Sequence, residues 1–270
     1  MKTSLRVLVR GSGDVGSTVA HRLFGAGYAV VIHDTAQPTT TRRKMAFTDA
    51  IFEGCATLEG LDAQLIEKRS LLRGWLASHE VIPITTINLQ ALFQALHPEV
   101  LVDARMRKHS QPENQCRWAP FTIGLGPNFI AGQTVHVAVE TAWGENLGQI
   151  ILRGATNSLE GEPKSIEGHA RDRYVYAPRA GVFRTLHQIG ATVTQGDTLA
   201  QIGDLLLEAP ISGVLRGLTR SGILVEAKTK VIEIDPRLDH PQISGIAERP
   251  ARIAQGVLQA IQDWEQDHVD

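Results

Sequence analysis

Residues 11–16 read GSGDVG, between the apolar run LRVLV and the segment STVAHRLFGAGYAVVIHD. Gly11, Gly13 and Gly16 have the spacing of a dinucleotide-binding turn. The first allows a tight bend, the second lets a phosphate approach the backbone, and the third lets helix and strand pack closely. Helix N-terminal N–H groups would then receive the anion. Asp34 ends the next apolar run, where a carboxylate can accept hydrogen bonds from ribose hydroxyls and disfavour a 2′-phosphate. Asp14 runs against this pattern, because a carboxylate beside a pyrophosphate is repelled. It caps the helix or pairs with Arg10, or it holds a bridging Mg²⁺, or the ligand is less anionic than a dinucleotide; the first is the commonest use of a lone acid.

Other side chains of the right type fall where strands end. Arg42 and Arg43, in PTTTRRKMAFTDAIFEG, carry guanidinium forks suited to phosphate or carboxylate oxygens. Asp103 closes EVLVDA and is followed by Arg105 and Lys108. In GLGPNFIAGQTVHVAVET, His136 and Glu140 share one face of a strand and could serve as acid and base or as two metal ligands, though two ligands do not make a metal site. The turn that precedes them contains Gly124 and Gly126. The reading therefore takes Asp103, His136 and Glu140 as catalytic candidates. Gly11, Gly13, Asp14, Gly16, Asp34, Arg42, Arg43, Arg105, Lys108, Gly124 and Gly126 are the cofactor-binding candidates, for a nucleotide or dinucleotide. No metal-ligand array, nucleophile elbow or Walker A sequence occurs.

The elements that must position these groups follow from periodicity. Leu5–Val9 reads as a strand, Val15, Val19, Leu23 and Phe24 recur at helical spacing, and Tyr28–Ile32 reads as a second strand. Further strands and helices alternate to Asp103, which predicts an α/β fold with a Rossmann-like parallel sheet over 1–112. Residues 113–170 read as a β-rich connecting region, 171–240 as a small β module and 241–270 as a closing helix. In that helix Ile253, Val257, Leu258, Ile261 and Trp264 share a face.

The β module carries an internal repeat. APRAGVFRTL (177–186) and APISGVLRGL (209–218) match at six of ten positions, at an offset of 32 residues. These residues resemble the biotinyl/lipoyl barrel-sandwich module. The hairpin that should present a modifiable lysine reads IGDLLLEAP, so neither covalent biotin nor lipoate is expected.

Composition narrows the partners. Lys+Arg 27 against Asp+Glu 29 leaves a net charge of −2 over 270 residues, which gives nucleic-acid binding little support. No apolar run is long enough to span a membrane. Two cysteines without C-x-x-C spacing fit a reducing, cytoplasmic setting. The composition fixes no oligomeric state and is compatible with a homo-oligomer.

The order VRGSGDVGSTVAHRL, PTTTRRKMAFTDAIFEG, VDARMRK, IGLGPNFIAGQTVHVAVETAWGENLG, RYVYAPRAGVF and ISGIAERPARIAQGVLQAI resembles the accessory-protein family of selenium-dependent molybdenum hydroxylase systems. The first domain also resembles the nucleotide-binding half of xanthine dehydrogenase accessory factors. The resemblance implies a protein that binds a nucleotide or the molybdenum cofactor, with a molybdopterin dinucleotide or NAD as ligands. Its partner would be a molybdenum hydroxylase or that enzyme's cofactor-maturation proteins. It also places Arg42, Arg43, Asp103, His136 and Glu140 at motif positions. An NAD-dependent oxidoreductase is the alternative, resting on the same turn and Asp34.

Overall fold

A computed structural model of the chain describes residues 5–107, 110–158 and 163–268. It divides into two units: Met1–Ala36, Ala46–Glu160 and Ile246–Asp270 form the first, and Gln37–Met45 with Gly161–Gly245 form the second.

The first unit opens with β1 (Arg6–Arg10), α1 (Asp14–Gly25) and β2 (Ala29–His33), as the glycine turn and the two apolar runs predict. It continues through α2 (Ala50–Glu53), β3 (Cys55–Leu58), β4 (Leu61–Leu65), α3 (Leu72–Ser78), β5 (Ile82–Thr85), α4 (Leu89–Leu96) and β6 (Val100–Asp103). Next come β7 (Phe121–Leu125), β8 (Ile130–Ala131), β9 (Val137–Val139), β10 (Ile150–Ile151) and β11 (Gly154–Ala155). Among the described residues nine of these strands form one sheet, in the order β10-β9-β7-β6-β1-β2-β5-β4-β3, while β8 and β11 pair separately.

The sheet is mixed, which corrects the expected Rossmann-like parallel sheet. Its interior pairs are parallel, but β3 runs antiparallel to β4 and β10 antiparallel to β9. The β3–β4 hairpin turns through Glu59 (φ 46°) and Gly60 (φ 80°), both in the left-handed region that two-residue hairpins need. Nor is the region after 112 a separate β-rich segment. Its strands β7, β9 and β10 extend the sheet, because Ile123, Leu125, Val137 and Val139 join the core of Val7 and Val9.

Side-chain alternation decides what covers each face. Val7 and Val9 point into a cluster with Val15, Val19 and Leu23 of α1. Leu8 points the other way, toward Leu72 of α3 and Leu92 and Leu96 of α4. Asn88 caps α4, its side chain accepting from the Ala91 N–H at 3.2 Å. Asn88→Ala should lower stability by about 1 kcal/mol, read as a shift in the urea midpoint; an unchanged midpoint would show that the cap contributes nothing.

In the second unit lie β12 (Tyr174–Tyr176), β13 (Gly181–Arg184), β14 (Thr192–Val193), β15 (Thr198–Ile202), β16 (Leu205–Glu208), β17 (Gly213–Leu218), β18 (Leu224–Val225) and β19 (Lys230–Asp235). They form two four-stranded antiparallel sheets, β12-β19-β17-β14 and β16-β15-β13-β18. The expected biotinyl/lipoyl barrel-sandwich is corrected here. Among the described residues each sheet ends in unpaired edge strands, β12 and β14 in one and β16 and β18 in the other, and no closed barrel forms. The repeat nevertheless governs pairing: Gly181 lies opposite Val225, and Gly213 opposite Val193, so each copy pairs with the strand that follows the other.

The last element, α5 (Glu248–His268), belongs to the first unit. Its stripe of Ile253, Ala254, Val257, Leu258 and Ile261 enters the core against α1, and Trp264 stacks on Phe121 at 5.3 Å. A Cβ on Gly256 would lie 2.1 Å from the Gly148 carbonyl oxygen, so glycine is what allows α5 to seat there. None of the described helices is long and apolar enough to cross a membrane.

Candidate functional site

The strand order reverses at β1. The chain builds β2 and β5 on one side of it and β6, β7 and β9 on the other, so a crevice opens beyond the C-terminal ends of β1 and β6. Arg10 and Asp103 end those strands directly opposite each other.

The glycine turn sits in this crevice. Gly11 has φ 103°, and a Cβ there would lie 2.9 Å from the Ala104 carbonyl oxygen and 3.0 Å from Arg105 Cα, so only glycine fits between the two strand ends. Gly16 is tighter still, since its Cβ would lie 2.0 Å from the Gly11 carbonyl oxygen. Gly13 occupies the N-cap position of α1 with ordinary extended angles and no side-chain cap. Among the described residues no acceptor meets the N–H groups of Gly13, Val15 or Gly16. Val15 and Gly16 are buried, so this helix end presents orphaned donors where water has little access.

Asp34 supports the turn from below. Its Oδ2 accepts from the Ser12 N–H at 2.6 Å and from Ser12 Oγ at 2.7 Å, and its Oδ1 accepts from the Thr35 N–H. Thr48 Oγ1 and Ser17 Oγ both donate to the Ser12 carbonyl oxygen, which fixes the loop from the other side. Asp14 is the first helical residue, and the cap position is Gly13. The partners expected for Asp14 differ in one respect, because Arg10 pairs with Asp103 and Glu113 instead.

Beside the turn lies a charged cluster. Asp103 is 1 % exposed; it accepts from Arg105 Nε at 2.9 Å, from Arg105 Nη2, and from Gln115 Nε2 at 2.6 Å. Glu113 accepts from Arg10 Nη1 at 3.1 Å, Arg105 Nη2 at 2.8 Å and Arg107 Nη2. Burial pushes both carboxyls up, but the arginines outweigh it: Asp103 falls below its ordinary value and Glu113 well below the carboxylate range. Arg10 is drawn down by burial against the pull of Asp103, and its guanidinium lies 5.2 Å from the Trp118 ring. Within this cluster three arginines face two acids, while Asp14 and Asp34 lie at the turn itself.

The remaining candidates go elsewhere. His136 precedes β9, and its Nδ1 accepts from the Thr122 N–H at 3.0 Å, so the neutral ring carries its proton on Nε2; burial lowers its pKa. Glu140 follows β9, and its carboxylate accepts from the N–H groups of Thr141, Ala142 and Asn157, each at 2.8 Å. The two residues flank the strand at opposite ends, and β9 lies three strands from β1, roughly 14 Å away. They do not converge on the glycine turn. Gly124 makes room for the Phe129 ring, which a Cβ would meet at 2.3 Å, and Gly126 has φ 113° beside Met106. Arg42 and Arg43 belong to the second unit, where Arg42 grips Glu233 through two bonds of 2.9 Å and Arg43 Nε donates to the Leu218 carbonyl oxygen. Lys108 lies outside the described residues. Sequence reasoning missed Glu113, Arg107 and Gln115, and named Arg10 only as a partner for Asp14. The signal available was Arg10 itself, a charge at the last position of an otherwise apolar strand.

No family model matches the chain. An Escherichia coli (strain K12) protein described as the uncharacterized protein YqeB is 36% identical over 255 residues, covering 94% of this chain and 47% of its own length. The chain thus spans about half the length of that curated relative. Among solved structures, the ectoine utilization protein EutE (DoeB) from Ruegeria pomeroyi is 15% identical, covering 87% of this chain and 86% of its own, with a TM-score of 0.26. An aspartoacylase family protein from Mesorhizobium loti is 12% identical, covering 88% and 87%, with a TM-score of 0.27. A succinylglutamate desuccinylase/aspartoacylase from Rhodobacter sphaeroides is 18% identical, covering 53% and 60%, with a TM-score of 0.23. These names correct the expected resemblance. The solved structures are described as an ectoine utilization protein, an aspartoacylase family protein and a succinylglutamate desuccinylase/aspartoacylase, none as a molybdenum hydroxylase accessory protein; the maturation role and the alternative of an NAD-dependent oxidoreductase are not carried forward.

Proposed function

We propose that the first unit binds a phosphate-bearing nucleotide or dinucleotide at the N-terminus of α1. The observation that carries this reading is the uncapped helix start, with the N–H groups of Gly13, Val15 and Gly16 lacking acceptors among the described residues. Helix ends of this kind receive anions through aligned donors and the helix dipole. The guanidinium groups of Arg10, Arg105 and Arg107 beside the turn support it, as does the position at the strand-order reversal, where open α/β sheets hold their ligands. The Asp34 carboxylate, at the tip of β2 and bonded to Ser12 of the turn, disfavours a 2′-phosphate, so NAD is preferred to NADP.

Binding, rather than proton transfer, is what the geometry favours. Asp103 is held by Arg105 and Gln115, Glu140 by three backbone donors, and Nδ1 of His136 by Thr122. The reading places the protein in the cytoplasm, in keeping with the two free cysteines, Cys55 and Cys116.

The test is calorimetric titration of the full chain with ATP, CTP, NAD, NADP and pyrophosphate, in wild type and Gly13→Val. Gly13 has φ −67° and ψ −178°, a conformation valine adopts without strain, so the fold should survive. The valine side chain would stand where the phosphate must approach, and nucleotide affinity should fall at least about a hundredfold, the loss of two charge-assisted bonds. Equal affinity in a folded Gly13→Val protein would overturn the reading.

A further inference from the structure

We propose that Arg10, Arg105 and Arg107 form an oxyanion clasp, that Glu113 occupies it in the ligand-free protein, and that a phosphate group of the ligand takes the place of Glu113. This rests on the reading of the glycine turn as a phosphate site and identifies what receives the ligand's outer charge.

The protein side of the clasp is fixed. Arg10 ends a central strand, is 7 % exposed, and is held against Trp118. Its Nε is buried and has no hydrogen-bond partner among the described residues, so even with Glu113 in place the guanidinium is under-satisfied. Arg105 is anchored by its two-pronged bond to the buried Asp103 and still extends Nη2 to Glu113 at 2.8 Å. Arg107 reaches the same carboxylate from outside, its side chain 35% exposed.

The occupant is the movable part. Glu113 lies between β6 and β7 in a segment without helix or strand, and its side chain is 34% exposed. It offers one negative charge and two oxygens to three guanidinium groups. A phosphate offers up to two charges and three oxygens, which matches three donor forks better than a carboxylate does. Protonation does not open the clasp, because the arginines keep Glu113 ionised far below neutral pH. Displacement by a stronger anion does.

This places the outer phosphate beside Gly11. The turn that would cradle one phosphate on the N–H groups of α1 is in contact with the Ala104–Arg105 backbone, and Arg10 directly precedes it. Two adjacent anion sites, one of backbone N–H groups and one of guanidinium forks, suit a ligand with at least two linked phosphates. Inorganic pyrophosphate is the minimal probe.

The experiment compares pyrophosphate and ATP binding by calorimetry in wild type, Glu113→Gln, Arg107→Gln and Glu80→Gln, all as the full chain. Freed of its internal competitor, Glu113→Gln should bind pyrophosphate about tenfold more tightly or better, and Arg107→Gln about tenfold more weakly, each a change of one charge-assisted bond. Glu80→Gln removes the same charge from an exposed position of the same unit and should leave affinity unchanged. Unaltered affinity in Glu113→Gln, with Gly13→Val still abolishing binding, would overturn the clasp and leave the helix site standing. Tightening in Glu113→Gln with no effect of Gly13→Val would do the reverse. Equal gains in Glu113→Gln and Glu80→Gln would reduce the effect to net charge and overturn the clasp.

Discussion

Glu233→Gln should destabilise the second unit by about 3–5 kcal/mol, the cost of removing one partner from a buried ion cluster. Glu233 is fully buried on β19, where it is gripped by Arg42, by Arg173 Nη1 at 2.8 Å and by Lys230 Nζ at 2.7 Å, with Arg216 Nε 3.6 Å away. Burial pushes its carboxyl up, but Lys230, Arg42 and Arg216 hold it well below its ordinary value. Glutamine keeps the shape and loses the charge, which leaves several buried cations facing a neutral amide. Amide exchange in β17 and β19 reads the change directly; a loss below 1 kcal/mol would show that the cations are satisfied without Glu233. Because the folded-state pKa is depressed, the stabilisation is complete above the unfolded value of about 4.3. It is lost as pH falls from there through the folded pKa. Acid unfolding of the second unit in wild type should therefore begin below about pH 4, and Glu233→Gln should flatten that acid limb.

The second large effect belongs to Gly16. Gly16→Ala should cost about 3 kcal/mol, the upper end for overpacking, because its Cβ meets a backbone oxygen of the turn at 2.0 Å and no side chain can rotate aside. Relief requires α1 to move away from β1, which disperses the donors at its N-terminus, so anion binding should fall as well. Thermal unfolding and pyrophosphate titration of one variant test both. A melting temperature within a degree of wild type would show that α1 and the turn can separate freely. The contrast with Gly13→Val is informative: one glycine is needed by the fold and through it by the site, the other by the site alone.

Much of this architecture was legible from local pattern. The turn between β1 and α1, the acid at the tip of β2, the charged end of β6 and the apolar stripe of α5 all follow from spacing within a few turns or strands of chain. What escaped was set by partners distant in sequence. Arg42 looked like a companion of the glycine turn because it follows β2 closely, yet its segment pairs with β17, with the Leu218 N–H donating to the Thr41 carbonyl oxygen. His136 and Glu140 share a face, but the sheet order places their strand three positions from β1. Glu113 carries no periodic signal at all; its role arises only because β1 and β6 lie side by side. The β3–β4 hairpin did leave a mark, the Glu59-Gly60 pair, which a reading centred on βαβ units passed over.

The discontinuity of the first unit has a consequence for how the protein is made. Everything needed by the second unit, from Gln37 to Gly245, is synthesised before α5, the helix that completes the first. Until Ile253, Val257 and Ile261 emerge, the apolar surface around Val19, Phe121 and Val139 has no cover. The two units thus finish in the reverse of the order in which they begin, and from the synthesis of Val139 until α5 emerges the nascent chain carries an exposed hydrophobic face. That is the interval in which aggregation competes with folding, and in which a holding chaperone has most to protect.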